Sequence, residues 1–293
     1  MKNVSIVLFN NNSVLLDNVE KGLTLTNQCI ILDNSVGTTI GSNANSYMLY
    51  DNLARNQTAL TLPDQNADSA GGLALYDNNT NLTFNCLNSG TVDFYFTIPE
   101  AKEVNSMGVA GANLGTSTAV WEFYTWNSDT SAYEKKAEGS GKLDNSPIFN
   151  TFDTVTTNRV RFRFITTAPL RVGELGFGKA LRFPVPPSIG LTPARWSTND
   201  QINIGRAENN TLSGNTVIKR GSTESVKFDK LEAQWLDDNF IDVLSYEGVP
   251  VWFSQDQKYK QNNVIYGNWE TSSKPSYESA FRSSLSLKIS GAV

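Results

Sequence analysis

Residues 158–165 read NRVRFRFI, and this strict alternation constrains the fold more than any other feature of the chain. On an extended backbone Val160, Phe162 and Phe164 fall on one side, and Arg159, Arg161 and Arg163 on the other. A helix would mix the two sets around its circumference. The segment is therefore a strand with one face in a core and its arginines toward solvent or a partner. Residues 93–98 repeat the pattern, with Phe94, Phe96 and Ile98 on one face and Asp93, Tyr95 and Thr97 on the other. Strands are also expected at 109–114 and 120–126, and the polar run NSDTSAY at 127–133 reads as a hairpin tip. Charged residues make up only 18% of the chain and aromatics reach 11%. Asn, Ser, Thr and Gly fill the gaps between short apolar runs, as in antiparallel sheets joined by polar turns. The expected class is all-β, with one helix in the C-terminal part.

At 293 residues the chain is long enough for two domains, each with its own core. Residues 1–32 hold two apolar segments, 4–9 and 23–32, separated by an Asn-rich turn and a charged patch at 17–21. They need a partner from elsewhere. Residues 34–81 are expected to form long loops, with short apolar islands at 47–50, 60–62 and 73–76. The run FPVPPSIGLTP at 183–193 contains four prolines and cannot be an interior strand or helix, so it is a stiff linker or edge segment, with the break near Pro187. Beyond it, 215–219 and 224–228 are expected to form a hairpin around 220–223. Asp229 then precedes Leu231, Trp235, Leu236, Phe240, Val243 and Leu244, at the spacing of a helix with one buried face. Asp229 is the expected N-cap and Gly248 the stop. Strands at 249–253 and 264–269, with the alternation of Leu285, Leu287 and Ile289, complete a small barrel or sandwich.

The formal net charge of −5, with no basic cluster longer than Lys135-Lys136 or Lys219-Arg220, gives no electrostatic footprint for nucleic acid. The N-terminal apolar run is broken at 10–13, so it reads as neither a signal segment nor a membrane span, and folding in a cytoplasm is expected. Cys29 and Cys86 read as buried small hydrophobes rather than a disulfide framework. The chain has no histidine, which removes imidazole general bases, Ser-His-Asp triads and imidazole metal sites. It contains no Gly-rich phosphate cradle. Acid pairs such as Asp237 with Asp238, or Glu122 with Glu174, meet the bare requirement of a glycosidase. Exposed acids on a helix are nevertheless ordinary, and no catalytic residue is expected.

Two kinds of binding site are open. Asp51, Asp77 and Asn79 lie in loops with clustered oxygen ligands suited to Ca²⁺, the one ion expected as a cofactor if there is any. The other reading of those loops is that Asp and Asn side chains bond the local backbone and tolerate left-handed conformations. Tyr47, Tyr50, Tyr76, Trp126 and Tyr133 lie in or beside expected loops, where an aromatic face stacks on a sugar ring while amides read its hydroxyls. The opposing reading packs each of them under those loops.

Two resemblances rest on longer stretches. From 47 to about 181, ALYDNNTNLTF, TVDFYFTIPEAKEVNSMGVAGANLG, AVWEFYTWNSDTSAYEKK and NRVRFRFITTAPLRVGELGFGKALRF follow the order of the discoidin (F5/8 type C) or galactose-binding-like domain and related carbohydrate-binding modules. Asn78 stands where that family usually has Gly, and Glu174-Leu175 closes the Arg-rich strand. The resemblance implies a galactose-binding-like jelly-roll sandwich. From 202 to 292, GRAENNTLSGNTVIKRGSTESVKF, WLDDNFIDVLSYEGVPVWFSQDQKYKQNNVIYGNW and SYESAFRSSLSLKISG resemble the C-terminal part of distal tail or baseplate proteins of tailed bacteriophages. Together they imply a virion structural protein of the phage tail, made in the host cytoplasm. Its strands at 1–32 would pair with a tail-assembly β-barrel at 187–293, around an inserted sandwich at 33–186. They further imply a homo-oligomeric ring, other tail and baseplate proteins as partners, a host-surface glycan as ligand, and neither nucleic acid nor membrane insertion. Trp252, Tyr266 and Trp269 are expected at subunit contacts, where aromatics concentrate. A free carbohydrate-binding module and a glycan-cleaving enzyme are the alternatives.

Overall fold

The computed structural model of the chain describes residues 5–8, 14–17, 46–142, 144–188, 201–206, 212–219, 222–255, 264–279 and 281–292. In chain order the strands are β1 (Ser5–Leu8), β2 (Val14–Asp17), β3 (Tyr47–Leu49), β4 (Ala59–Thr61), β5 (Phe84–Asn85), β6 (Gly90–Ala110), β7 (Val120–Asn127), β8 (Ala132–Ser140) and β9 (Ile148–Thr166). They continue with β10 (Arg171–Val172), β11 (Glu174–Gly178), β12 (Leu181–Arg182), β13 (Gln201–Arg206), β14 (Leu212–Lys219), β15 (Ser222–Glu232), β16 (Pro250–Ser254), β17 (Val264–Ser279) and β18 (Arg282–Ala292). The class is all-β. Residues 1–44 and 45–293 form separate compact units. In the first, β1 pairs antiparallel with β2. The apolar segment expected at 23–32 lies outside the described residues, as does Cys29.

The sandwich is built on one long antiparallel ribbon, β6 with β9. Its register shifts between Thr97 and Lys102 and again between Val104 and Ser106, where the ribbon changes direction. The first half of β6 also pairs with β4 and the second half of β9 with β7, which carries β8. The second half of β6 pairs with β11. The ribbon thus contributes to both layers. The alternation read at 158–165 and 93–98 is realised: Phe94, Phe96, Phe162 and Phe164 are buried, together with Phe123 and Phe177. Their rings meet edge-on, with centroids 5.9 Å apart for Phe96 and Phe162 and 4.9 Å for Phe123 and Phe162. Edge-to-face packing of this kind adds to simple burial. Cys86 sits in this core as a free thiol, and burial pushes its pKa up to about 12.

The second sheet is six-stranded, in the order β12-β3-β16-β17-β18-β15. Two of its strands, β3 and β12, come from the 33–186 stretch and bracket the sandwich in sequence. The proline-rich run is partly built into this sheet's core, because Phe183 is buried and stacks on Phe228 at 4.2 Å with an interplanar angle of 2°. The expected hairpin of 215–219 with 224–228 does not form: β14 pairs with β13, and β15 pairs with β18. Val226 and Phe228 face the same core as Leu285, Leu287 and Ile289, and that burial decides the pairing. The helix begins later than expected. β15 runs through Asp229 to Glu232, and irregular helical turns follow from Ala233 to Tyr246. Strand pairing of Leu231 and Glu232 with β18 outweighs the cap that Asp229 offered, and Asp229 is instead bound by Lys227 and Ser188. Gly248, at φ +82°, follows the last turn as the sequence indicates.

Both faces of this sheet are covered. Val251 and Phe253 of β16 point into a core shared with Leu236, Phe240 and Val243 of the helical turns. Trp252, between them, points the other way, against Leu49, Ala110 and Phe149. There the sandwich offers Gly108 of β6 and Gly176 of β11, where an added Cβ would meet the indole at 2.6 and 2.5 Å. Among the described residues no helix is long and apolar enough to cross a membrane.

Candidate functional site

Side chains that alternate away from the sandwich core are set in three rows across the layer containing β6, β9, β7 and β8. The registers align Asp93, Arg163 and Glu122, then Tyr95, Arg161, Tyr124 and Lys135; in the third row Thr97 pairs with Arg159 and Trp126 with Tyr133, and Arg159 meets the Trp126 ring. The first row is closed by ion pairing. Arg163 donates from Nε to Asp93 Oδ1 and from a terminal nitrogen to Oδ2, both at 2.8 Å. Burial pushes the Asp93 pKa up, but the hydrogen bonds and charge of Arg163, helped by Arg161 and Tyr95, hold it below the usual carboxylate value. Glu122 is likewise held low by donors from Tyr124, at 2.7 Å, and Lys135, at 2.9 Å.

The other two rows carry guanidinium groups among aromatic rings. Arg161 lies 3.8 Å from the ring centre of Tyr124 and 5.2 Å from that of Tyr133. Arg159 lies 5.4 Å from that of Trp126. Trp126 and Tyr133 meet at 5.1 Å, and Tyr133 also reaches Tyr95 at 5.7 Å. Tyr95 and Tyr133 sit on strands separated by β9 and β7, so their rings lean toward each other over Arg161. Such cation–π contacts hold the cations in place at roughly 0.5–2 kcal/mol each. Arg161 is half-buried, whereas Arg159 is exposed beside half-buried Trp126 and Tyr133.

Of the five aromatics expected to stack on sugar, the fold brings Trp126 and Tyr133 together and disperses the rest. Tyr50 packs edge-on against Tyr246 at 5.2 Å. Tyr47 packs at the contact between sandwich and second sheet, and Tyr76 against the sandwich core. Tyr95 and Tyr124 complete the surface. Their shared period with the arginines was the available signal, but which strands are neighbours is not written in that period.

The loops weighed for calcium use their oxygens locally. Asp77 Oδ1 accepts from the Asn79 amide at 2.9 Å, and Asn79 Oδ1 accepts from the Asn81 amide at 3.0 Å, the consecutive turns of the alternative reading. Asn52 accepts from Ala54 and donates to the Leu175 carbonyl, both at 3.0 Å. Burial raises the Asp51 pKa against the opposing charges of Arg55 and Lys102. Among the described residues no three acidic or thiol groups converge on a metal position. Asn78 takes φ +69°, the left-handed conformation for which Gly is otherwise used, and its amide donates to Glu174.

Glu174 is fully buried. Burial pushes its pKa up to about 8, against the Asn78 hydrogen bond and the charge of Arg55. Glu122, on the outward face of β7, shares no groove with it. Asp237 and Asp238 are exposed on the helical turns, where Asp238 accepts from Gln234 at 2.8 Å. The residues expected at subunit contacts are interior: Trp252, Tyr266 and Trp269 are 0%, 3% and 1% exposed. Trp252 and Tyr266 face the sandwich and Trp269 faces the helical turns, because both sides of the sheet are covered by this chain itself.

The architecture is that of a β-sandwich joined to a second sheet. No family model matches the chain, and no curated protein matches it. Solved structures that it resembles include a fucosidase of Ruminococcus gnavus, at 11% identity and TM-score 0.40, over 46% of this chain and 28% of the fucosidase. They also include two carbohydrate-binding modules of Clostridium perfringens. One, CpGH89CBM32-6, has 20% identity and TM-score 0.36 over 44% of this chain and 99% of the module. The other, CpGH89CBM32-5, solved with GalNAc-β-1,3-galactose, has 16% identity and TM-score 0.37 over 43% of this chain and 97% of the module.

Proposed function

We propose that this protein is a non-catalytic glycan-binding protein whose site is the outward face around Trp126, Tyr133 and Arg159. The observation that carries the reading is the pairing of half-buried aromatic rings on the outward face with guanidinium donors fixed beside them on one sheet. That combination suits a sugar, whose apolar ring face and hydroxyl rim need both. Rows anchored by ion pairs and cation–π contacts hold the surface in shape before a ligand arrives, which lowers the ordering cost of binding. Glu122 lies on the outward face and Glu174 is buried, so that pair does not flank a common groove, and Asp237 and Asp238 sit side by side, exposed on the helical turns.

At the finer level we propose a virion structural protein of a phage tail tip or baseplate, assembled as a homo-oligomeric ring with other tail proteins and presenting the sandwich to a host-surface glycan. The resemblance of 202–292 to tail proteins supports this reading. So does the length of chain invested in a second sheet that takes no part in the glycan face. A free carbohydrate-binding module remains the simpler alternative.

The test of the binding reading is a glycan array probed with the full chain and with Trp126→Ala. Binding that falls at least tenfold in the variant is expected. Binding that survives undiminished would move the site elsewhere. Electron microscopy of the purified chain tests the ring, and a uniformly monomeric protein at high concentration, with and without its particle, removes it.

A further inference from the structure

Resting on the glycan-binding reading of the same face, we propose that the ligand is an acidic glycan, a polymer bearing uronate or sialate carboxylates, and that Arg159 is the residue that selects it. The carboxylates of this face are already engaged. Asp93 is held through both oxygens by Arg163, and Glu122 and Glu138 share Lys135 at 2.9 and 2.7 Å. Among the described residues neither Arg159 nor Arg161 forms an ion pair with a carboxylate, although the charge of Arg161 reaches Asp93; each lies over an aromatic ring.

The two have different roles. Arg161 is enclosed by Tyr124, Tyr133 and Tyr95, and its Nε is buried without an acceptor among the described residues. It contributes positive potential from beneath. Arg159 is exposed beside Trp126, and its charge reaches Tyr133, where it opposes the rise in the phenol's pKa caused by burial. A guanidinium offers a planar pair of donors that matches a carboxylate. Trp126 and Tyr133 lie beside it for the ring that bears the carboxylate. The chain as a whole carries a net charge of −5, so guanidinium groups that form no ion pair among the described residues are a local departure from the general field. An open depression elsewhere on the sandwich, lined by Leu53, Asn56, Gln57, Ile98, Pro99 and Lys102 together with Glu100, has no aromatic side chain and does not offer this combination.

The experiment is calorimetric titration of the full chain with four probes: an oligogalacturonate, its methyl ester, a sialylated oligosaccharide and its asialo counterpart. Polyglutamate serves as a charge-only control. The variants are Arg159→Gln, Arg159→Lys and Trp126→Ala, each checked for an unchanged melting temperature. At least one acidic sugar is expected to bind on the order of tenfold more tightly than its neutral counterpart, with affinity falling as salt is raised. Arg159→Gln abolishes that preference, Arg159→Lys restores part of it, and Trp126→Ala weakens both members of the pair. Equal affinity for acidic and neutral members overturns the inference and leaves the glycan-binding reading standing. Polyglutamate binding as tight as that of the acidic sugar also overturns it, since the face would then read charge alone. No binding to any sugar overturns both.

Discussion

At the scale of single residues, two buried carboxylates set the pH behaviour. Glu174 accepts from the Asn78 amide through one oxygen; Arg55, Asp77 and the Tyr266 hydroxyl, which favours the charged form by hydrogen bonding, are the charged and titratable groups around it. Glu224, on the core-facing side of β15 with Val226 and Phe228, is 2% exposed, and neither of its oxygens has a partner among the described residues. Burial pushes both pKa values up to about 8 from an ordinary 4.5. Below about pH 4.5 both groups are neutral in the folded and unfolded chain, and the stability associated with them is complete. As pH rises toward 8 the unfolded chain ionises first, so stability falls across that window and levels off above it. Urea unfolding at pH 5 and pH 8 should show this decline, and Glu174→Gln with Glu224→Gln should flatten it. An unchanged slope in the double variant would mean that neither group titrates as its burial dictates. Gly248 gives a second test at this scale. Nothing lies within 4 Å of an added Cβ, so Gly248→Ala should cost about 1 kcal/mol from its φ of +82° alone, and Gly248→Asn less.

At the scale of elements, the contact of β16 with β6 and β11 joins the sandwich to the second sheet. Trp252 lies over Gly108 and Gly176, two positions where even a methyl group would overlap the indole. Trp252→Ala should therefore destabilise by about 3–5 kcal/mol. Gly176→Ala should cost about 1–3 kcal/mol by overpacking. Denaturant midpoints measure both, and a neutral Gly176→Ala would show that the indole moves freely aside. The same elements show what was legible beforehand. The period of two at 93–98 and 158–165 placed Phe94, Phe96, Phe162 and Phe164 inward and Arg159, Arg161 and Arg163 outward, as the structure has them. The run PVWF in β16 carries no period, because a sheet covered on both faces buries each successive side chain. Subunit contacts were expected at Trp252, Tyr266 and Trp269 because aromatics concentrate at interfaces, whereas the chain covers all three itself.

At the scale of the whole molecule, β3 and β12 enter the second sheet from either side of the sandwich sequence, and Phe183 packs in that sheet's core. Residues 45–293 should accordingly melt in a single calorimetric transition. A fragment ending at residue 186 should lose stability, because it strips β16 from β3 and leaves Leu49, Met48 and Phe183 uncovered. Two well-separated transitions in the intact chain would show instead that sandwich and sheet are thermodynamically independent. The face proposed to bind glycan lies on β6, β9, β7 and β8, away from this contact, so Trp126→Ala and Arg159→Gln should change binding while leaving the melting temperature within a few degrees.

The sequence by itself determined the all-β class, the inward and outward faces of the main strands, the hairpin tip at 127–133 and the absence of imidazole chemistry. Each of these is local: a period of two, a turn residue or a missing side chain acts over a few neighbouring positions. Only the tertiary structure decided that Tyr95, Tyr124, Trp126 and Tyr133 gather around Arg159 and Arg161, that β15 pairs with β18 rather than β14, and that Glu174 is buried at Asn78. These depend on which strands become neighbours. Burial of apolar faces across long sequence separations selects that pairing, and no local pattern along the chain encodes it.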